Sequence, residues 1–132
     1  MSLYLLDTNV LIDLAGEKHS SPFFEGILSE PDARLGTSIL CLAEFMAGAG
    51  LKEEKFLRRW LDAGELEILC LDAVEDAFLA GDLRKKQGML LPDALILASA
   101  IRLRAHLLTH DGILLKTAKK YISVRDPLAS RP

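Results

Sequence analysis

Four carboxylates in this chain stand alone inside long uncharged runs, and any fold the chain adopts must find a place for them. Asp7 is the only formal charge in residues 1–12 (MSLYLLDTNVLI), and Glu44 the only one in 35–51 (LGTSILCLAEFMAGAGL). Asp93 is likewise alone in 87–101 (QGMLLPDALILASAI), and Asp111 in 105–115 (AHLLTHDGILL). Apolar surroundings draw such segments inward, yet a carboxylate is seldom fully buried unless a positive group pairs with it. Left unpaired, it is costly enough to protonate instead. Two solutions exist. Either distant lysines and arginines fold back to meet four separate acids, or the acids converge and a bound cation neutralises them together.

The stretches around the acids alternate between strand-like and helix-like. Leu3–Leu6 has the pattern of a short buried strand, ending at Asp7-Thr8-Asn9, residue types of turns and helix N-caps. Helices are expected over Val10–Leu14, over Pro22–Ser29 behind Ser21, and from Ile39 to about Ala47 behind a Ser38 cap. Arg34–Thr37 makes a brief strand between the last two. Phe56, Leu57, Trp60 and Leu61 recur at helical spacing, with Lys55, Arg58 and Arg59 opposite, and predict an amphipathic helix over Glu53–Ala63. Glu67–Leu71 follows as a strand, Asp72 caps a helix to Gln87, and Pro92-Asp93 opens another to about Arg104. His106–Thr109 (strand), Gly112–Lys119 (helix) and Ile122–Val124 (strand) complete the order, with 129–132 a loose tail.

Strands separated by helices predict one α/β domain over 1–132: three layers, with a central parallel sheet of four to five strands flanked by helices. Ligands of such sheets sit beyond the carboxyl ends of the strands, where the strand order reverses. Asp7 leaves the first strand and Asp111 the fourth. Glu44, two turns into its helix, and Asp93, at a helix start, can lean over the same edge.

Composition narrows the class without choosing a function. The 132 residues, half of them apolar, suffice for one core, and the net charge of −3 gives no global basic surface. Cys41 and Cys70 lie in apolar segments outside any CxxC pair, as reduced core thiols of a cytoplasmic protein do. The opening LYLL is too short for a signal peptide, and no apolar run reaches the about 20 residues that cross a bilayer. His19 falls in a loop, His106 near a strand start, and only His110 neighbours the acids.

Taken singly, the acids have plainer uses. Asp7 and Asp93 suit helix N-caps, worth about 1 kcal/mol each, and Asp111 suits a turn. Glu44, inside a helix, suits neither. Taken together they suit a hard cation, because carboxylate oxygens favour Mg²⁺ or Mn²⁺ and no His/Cys cluster offers a zinc alternative. A receiver-like phosphoacceptor pocket would need paired acids after the first strand, which ends in a single Asp. No Ser–His pair, G-x-S-x-G, Walker loop or G-x-G-x-x-G occurs.

Leu6-Asp7-Thr8-Asn9-Val10-Leu11, Ala43-Glu44-Phe45, Pro92-Asp93-Ala94-Leu95-Ile96-Leu97-Ala98 and Leu108-Thr109-His110-Asp111 resemble the successive motifs of PIN-domain ribonucleases. In length and spacing the chain is similar to VapC-type toxins of type II toxin–antitoxin pairs. The resemblance implies that Asp7, Glu44, Asp93 and Asp111 line one acidic pocket for one or two Mg²⁺ or Mn²⁺ ions, with Asp7 and Asp93 the firmest ligands. Thr8, Asn9 and Thr109 would then orient carboxylates and water. It also implies endonucleolytic hydrolysis of RNA by metal-activated water, a homodimer, and a cognate antitoxin that silences it; a PIN-like module that binds without cutting is the alternative. The chain departs from the family after the last motif, where Gly112, Ile113 and Leu114 replace a further acid and an aromatic residue. RNA would be gripped locally, by Arg84, Lys85 and Lys86 before the Asp93 motif and by Lys116, Lys119 and Lys120 after Asp111, unless these are simply solvated faces.

Overall fold

Apolar strands one after another, each followed by helix, build a parallel sheet from the inside out. The computed structural model describes residues 2–16, 22–69 and 74–127. Its elements run β1 (Ser2–Leu6), α1 (Thr8–Ala15), α2 (Pro22–Ser29), β2 (Ala33–Ser38), α3 (Ile39–Gly48), α4 (Leu51–Asp62) and β3 (Glu67–Leu69). They continue with α5 (Glu75–Gln87), α6 (Leu91–Leu103), β4 (His106–Leu108), α7 (Gly112–Ala118) and β5 (Val124–Arg125). The sheet has five strands in the order β3-β2-β1-β4-β5, every pair parallel.

That order places the reversal at the centre. From β1 the chain steps outward to β2 and β3, then returns to the other side of β1 as β4. Right-handed crossovers therefore carry the first helices and the later ones to opposite faces. α1 packs against α3 and α4, and α5 packs against α6. Leu5, Leu6, Leu107 and Leu108 of the two central strands are fully or almost fully buried between these layers.

Local chemistry explains most boundaries. Ser38 ends β2 and caps α3, its hydroxyl accepting from the Cys41 amide at 3.1 Å. α4 starts at Leu51, two residues before the sequence pattern, because Glu53 reaches back to the Gly50 amide at 3.0 Å. Gly88 closes α5 at φ 66°, a left-handed turn that favours glycine. The last strand is displaced from Ile122–Val124 to Val124–Arg125: Ile122 still donates to Ala118 in the turn after α7, and strand pairing starts only beyond it. Trp60 stacks on Phe56 with ring centroids 5.4 Å apart and packs against the core, as the helical stripe predicts. Among the described residues no helix is long and apolar enough to cross a membrane. His19, Cys70, the proposed Asp72 cap and the 129–132 tail lie outside the described residues.

Candidate active site

The first and fourth strands end side by side, so their exits meet. The Asp7 amide donates to the Leu108 carbonyl at 3.0 Å, and this bond sets the two carboxyl ends level. Asp7 is the N-cap of α1, its Oδ1 accepting from the Thr8 amide at 2.8 Å. Its Oδ2 accepts the Thr109 hydroxyl, 102 residues away in sequence, at 2.7 Å. The carboxylate is 6% exposed. Burial pushes its pKa up, the hydroxyl and amide draw it part of the way back, and the charges of Glu44 and Asp111 raise it again.

Three further side chains organise this exit. Asn9 donates to the Thr109 hydroxyl at 3.4 Å and accepts the His110 amide at 3.0 Å. Thr8 donates to Glu44 Oε1 at 2.9 Å, tying α1 to α3. Thr109 Oγ1 also accepts the Asp111 amide at 3.1 Å. Thr8 and Thr109 thus each donate to a carboxylate, Glu44 and Asp7 respectively, whereas Asn9 joins α1 to the 109–111 turn.

The cap read for Asp7 is real, and Asp111, read as a turn residue, is a cap too. Asp7 caps α1, and Asp111 caps α7 by accepting from Ile113 and Leu114 at 2.9 and 3.2 Å. Asp93 is no cap: α6 begins at Leu91, with Pro92 in its first turn and Leu90 at the cap position. A helix N-terminus favours a charged carboxylate, yet Asp93 is pushed up to about 6. Burial is the largest cause, followed by the charges of Asp111, Asp7 and Glu44. Glu44 itself is exposed rather than surrounded by apolar groups.

So the fold brings all four acids within electrostatic reach of one another at the switch point. Among the described residues none of the four forms an ion pair with Lys, Arg or His. Nor, among those residues, do any three His, Cys, Asp or Glu side chains form a ready-made metal cage. The donor set nevertheless fits Mg²⁺ or Mn²⁺, since Mg²⁺ keeps several waters and takes one or two carboxylates with substrate phosphates completing its shell. A closed cage of soft ligands would have meant a structural zinc site instead.

Sequence patterns missed two features here. Cys41 is a core thiol as expected, but its Sγ lies 3.8 Å from Asp7 Oδ1, and burial raises its pKa. Its position three residues before Glu44 on α3, one face of a helix, was the available signal. His110 bridges two further acids, Asp13 and Asp126. Asp13 follows Asn9 by four residues on α1, again one face.

Arg84 and Lys85 line a depression of about 430 Å³ with Gly81, Gly88 and Met89, Arg84 donating to the Met89 carbonyl at 3.3 Å. Lys86 pairs with Asp82 at 3.0 Å, and Lys120 donates to Gln87 at 2.8 Å. Lys116 and Lys119 are exposed. Ile113, in the stretch after the last motif, is 79% exposed.

A doubly wound parallel sheet with unpaired acids gathered over its central carboxyl edge defines a class of α/β proteins that bind their ligands at the switch point. Residues 4–120 match the PIN domain, and the chain belongs to that family. No curated protein matches it significantly in sequence. Among solved structures, a toxin–antitoxin complex from Klebsiella pneumoniae is similar at 27% identity and a TM-score of 0.68, over 94% of this chain and 97% of that one. VapBC-1 from nontypeable Haemophilus influenzae matches at 23% identity and 0.68, over 96% and 99%. VapBC2 from Rickettsia felis, bound to a promoter DNA fragment, matches at 22% and 0.68, over 93% and 97%. The likeness covers the whole fold, not one motif.

Proposed function

We propose that this PIN domain is the VapC-type toxin of a toxin–antitoxin pair and that it cuts RNA internally with the help of Mg²⁺ or Mn²⁺. One observation carries the reading. Four acids from separate parts of the chain converge at the strand exits, where burial and the other three push Asp93 up to about 6, and among the described residues no Lys, Arg or His pairs with any of them. A protein that keeps this crowding has a use for a cation from outside.

Asp7 and Asp93 would hold the ion, with Glu44 and Asp111 completing the negative surround. When bound, a divalent cation polarises a phosphate and lowers the pKa of water, the two things phosphodiester hydrolysis needs. The chain's own part is orientation. Thr109 and the Thr8 amide fix the two oxygens of Asp7, and the Thr8 hydroxyl steers Glu44. Arg84 and Lys85, beside the Asp93 loop, would take RNA phosphates, with Lys86 and Lys116 adding weaker attraction.

The toxin–antitoxin complexes among similar structures support an antitoxin partner. The same reading makes the protein a cytoplasmic homodimer, for which exposed apolar residues such as Phe78, 74% exposed, supply surface. Incubating the purified protein with RNA, with and without Mn²⁺ and beside Asp7→Asn, tests the proposal. Cleavage that needs both Mn²⁺ and Asp7 supports it. RNA binding without cleavage in any divalent metal would favour the binding-module reading, to which the lack of a ready-made cage among the described residues lends some weight.

A further inference from the structure

His110 stands between two residues of the site, Thr109 and Asp111, while its side chain is engaged elsewhere. The ring is held at both ends, Nε2 against Asp13 Oδ2 and Nδ1 against Asp126 Oδ1. Asp13 belongs to α1, whereas Asp126 follows β5. All three side chains are mostly buried, at 22% exposed for His110, 16% for Asp13 and 26% for Asp126. The two acids meet opposite nitrogens of one ring, so they cannot converge on a common metal ion. They act instead as the two ends of a strut.

The strut closes a circuit that includes the site. From Asp7 it runs through Thr109 to His110 and back to α1 at both Asn9 and Asp13. The 109–111 turn is therefore pinned by its backbone amides, by the Thr109 hydroxyl and by the His110 ring. Asp111 projects from the end of that turn. Metal ligands must hold their spacing within a few tenths of an ångström, and short turns do not do so unaided.

We propose that His110 is a positioning residue, a strut between Asp13 and Asp126 that holds the 109–111 turn so that Thr109 and Asp111 keep their places beside Asp7. Its catalytic consequence rests on the nuclease reading. Its effect on metal affinity does not need RNA at all.

The test uses His110→Ala, Asp13→Asn, their double variant, and His110→Gln, which can keep one of the two hydrogen bonds. Asp76→Asn serves as the control, because it weakens an equally well-built ion pair on the α5–α6 hairpin. Mn²⁺ affinity, the thermal midpoint, and kcat and KM for RNA cleavage at saturating Mn²⁺ are measured for each. His110→Ala should weaken Mn²⁺ binding and lower kcat by roughly 10–100-fold, the range for groups that orient metal ligands, with KM changed less than about twofold. His110→Gln should fall between His110→Ala and the unaltered protein, and the double variant should be no worse than the worse single one. Asp76→Asn should lower the thermal midpoint and leave kcat and Mn²⁺ affinity alone. Unchanged kcat and Mn²⁺ affinity in His110→Ala, or losses that merely track the thermal midpoint as in the control, would overturn the assignment. Should the unaltered protein bind Mn²⁺ yet cut no RNA, the nuclease reading falls, and the affinity series alone decides the strut.

Discussion

Asp76 and Asp93 are both carboxylates of the α5–α6 hairpin, and the chain treats them in opposite ways. Asp76 is 1% exposed and fully answered: Arg102 contacts it at 2.7 and 3.2 Å and Ser99 donates at 3.2 Å. Asp93, at the other end of α6, faces three more acids and is pushed up to about 6. The first is an internal ion pair that the fold completes by itself. The second has no counter-charge from Lys, Arg or His among the described residues, which is why we propose an external cation there. Burial of acids is thus not what marks a site here; the missing counter-charge is.

The largest expected effect breaks the incomplete end. Asp7→Asn and Asp93→Asn should each lower RNA cleavage at saturating Mn²⁺ by at least about 10²-fold, the upper range already reached on losing groups that only support a metal ligand. Thr109→Val, which keeps the shape but removes the donor to Asp7, should cost about 10–100-fold in the same assay. At the complete end, Asp76→Ala should destabilise the fold by about 3 kcal/mol in denaturant titration, since Arg102 loses its buried partner. Cleavage per folded molecule should stay unchanged there.

A smaller effect sharpens the contrast through pH. The folded-state pKa of Asp93, about 6, lies above its ordinary value of 3.8, so the folded protein holds the proton more tightly than the unfolded chain. Ionising Asp93 therefore costs stability, a cost that grows as pH rises from about 4 and is complete above about 6. In metal-free buffer Asp93→Asn should be the more stable protein at pH 7.5, by on the order of 1–2 kcal/mol after allowance for solvent screening. The advantage should vanish below pH 4. Mg²⁺ should raise the thermal midpoint of the unaltered protein at pH 7.5 and do so less at pH 5. Smallest of all, Arg84→Ala with Lys85→Ala should reduce the salt slope of RNA binding by roughly 1–2 units, about 0.7 for each single-strand phosphate that is no longer neutralised.

Much of this was legible in the sequence because its signals are local. A lone Asp after a strand-like run marks a strand exit, and Asp7 and Asp111 do follow β1 and β4. A parallel sheet of four to five strands followed from the alternation of apolar strands with capped helices, and the fold has five. What sequence patterns could not supply was partnership across the sheet. Cys41 meets Asp7 from 34 residues away, and His110 meets Asp13 from 97. Those pairings depend on which strands and helices end up side by side, a matter of strand order rather than of periodicity. Asp93 suits a cap on sequence alone because Pro-Asp often opens a helix. In the fold Pro92 is already inside the first turn, where its fixed φ is welcome and its missing amide costs nothing.

In the proposed function the four acids are crowded in order to hold a divalent cation. Calorimetric titration of Mn²⁺ into the metal-free protein at pH 7.5, beside Asp93→Asn, tests it most directly. The account predicts one or two bound ions, with affinity weakened at least about tenfold by the substitution. Absence of binding, or the same affinity in both proteins, would contradict it.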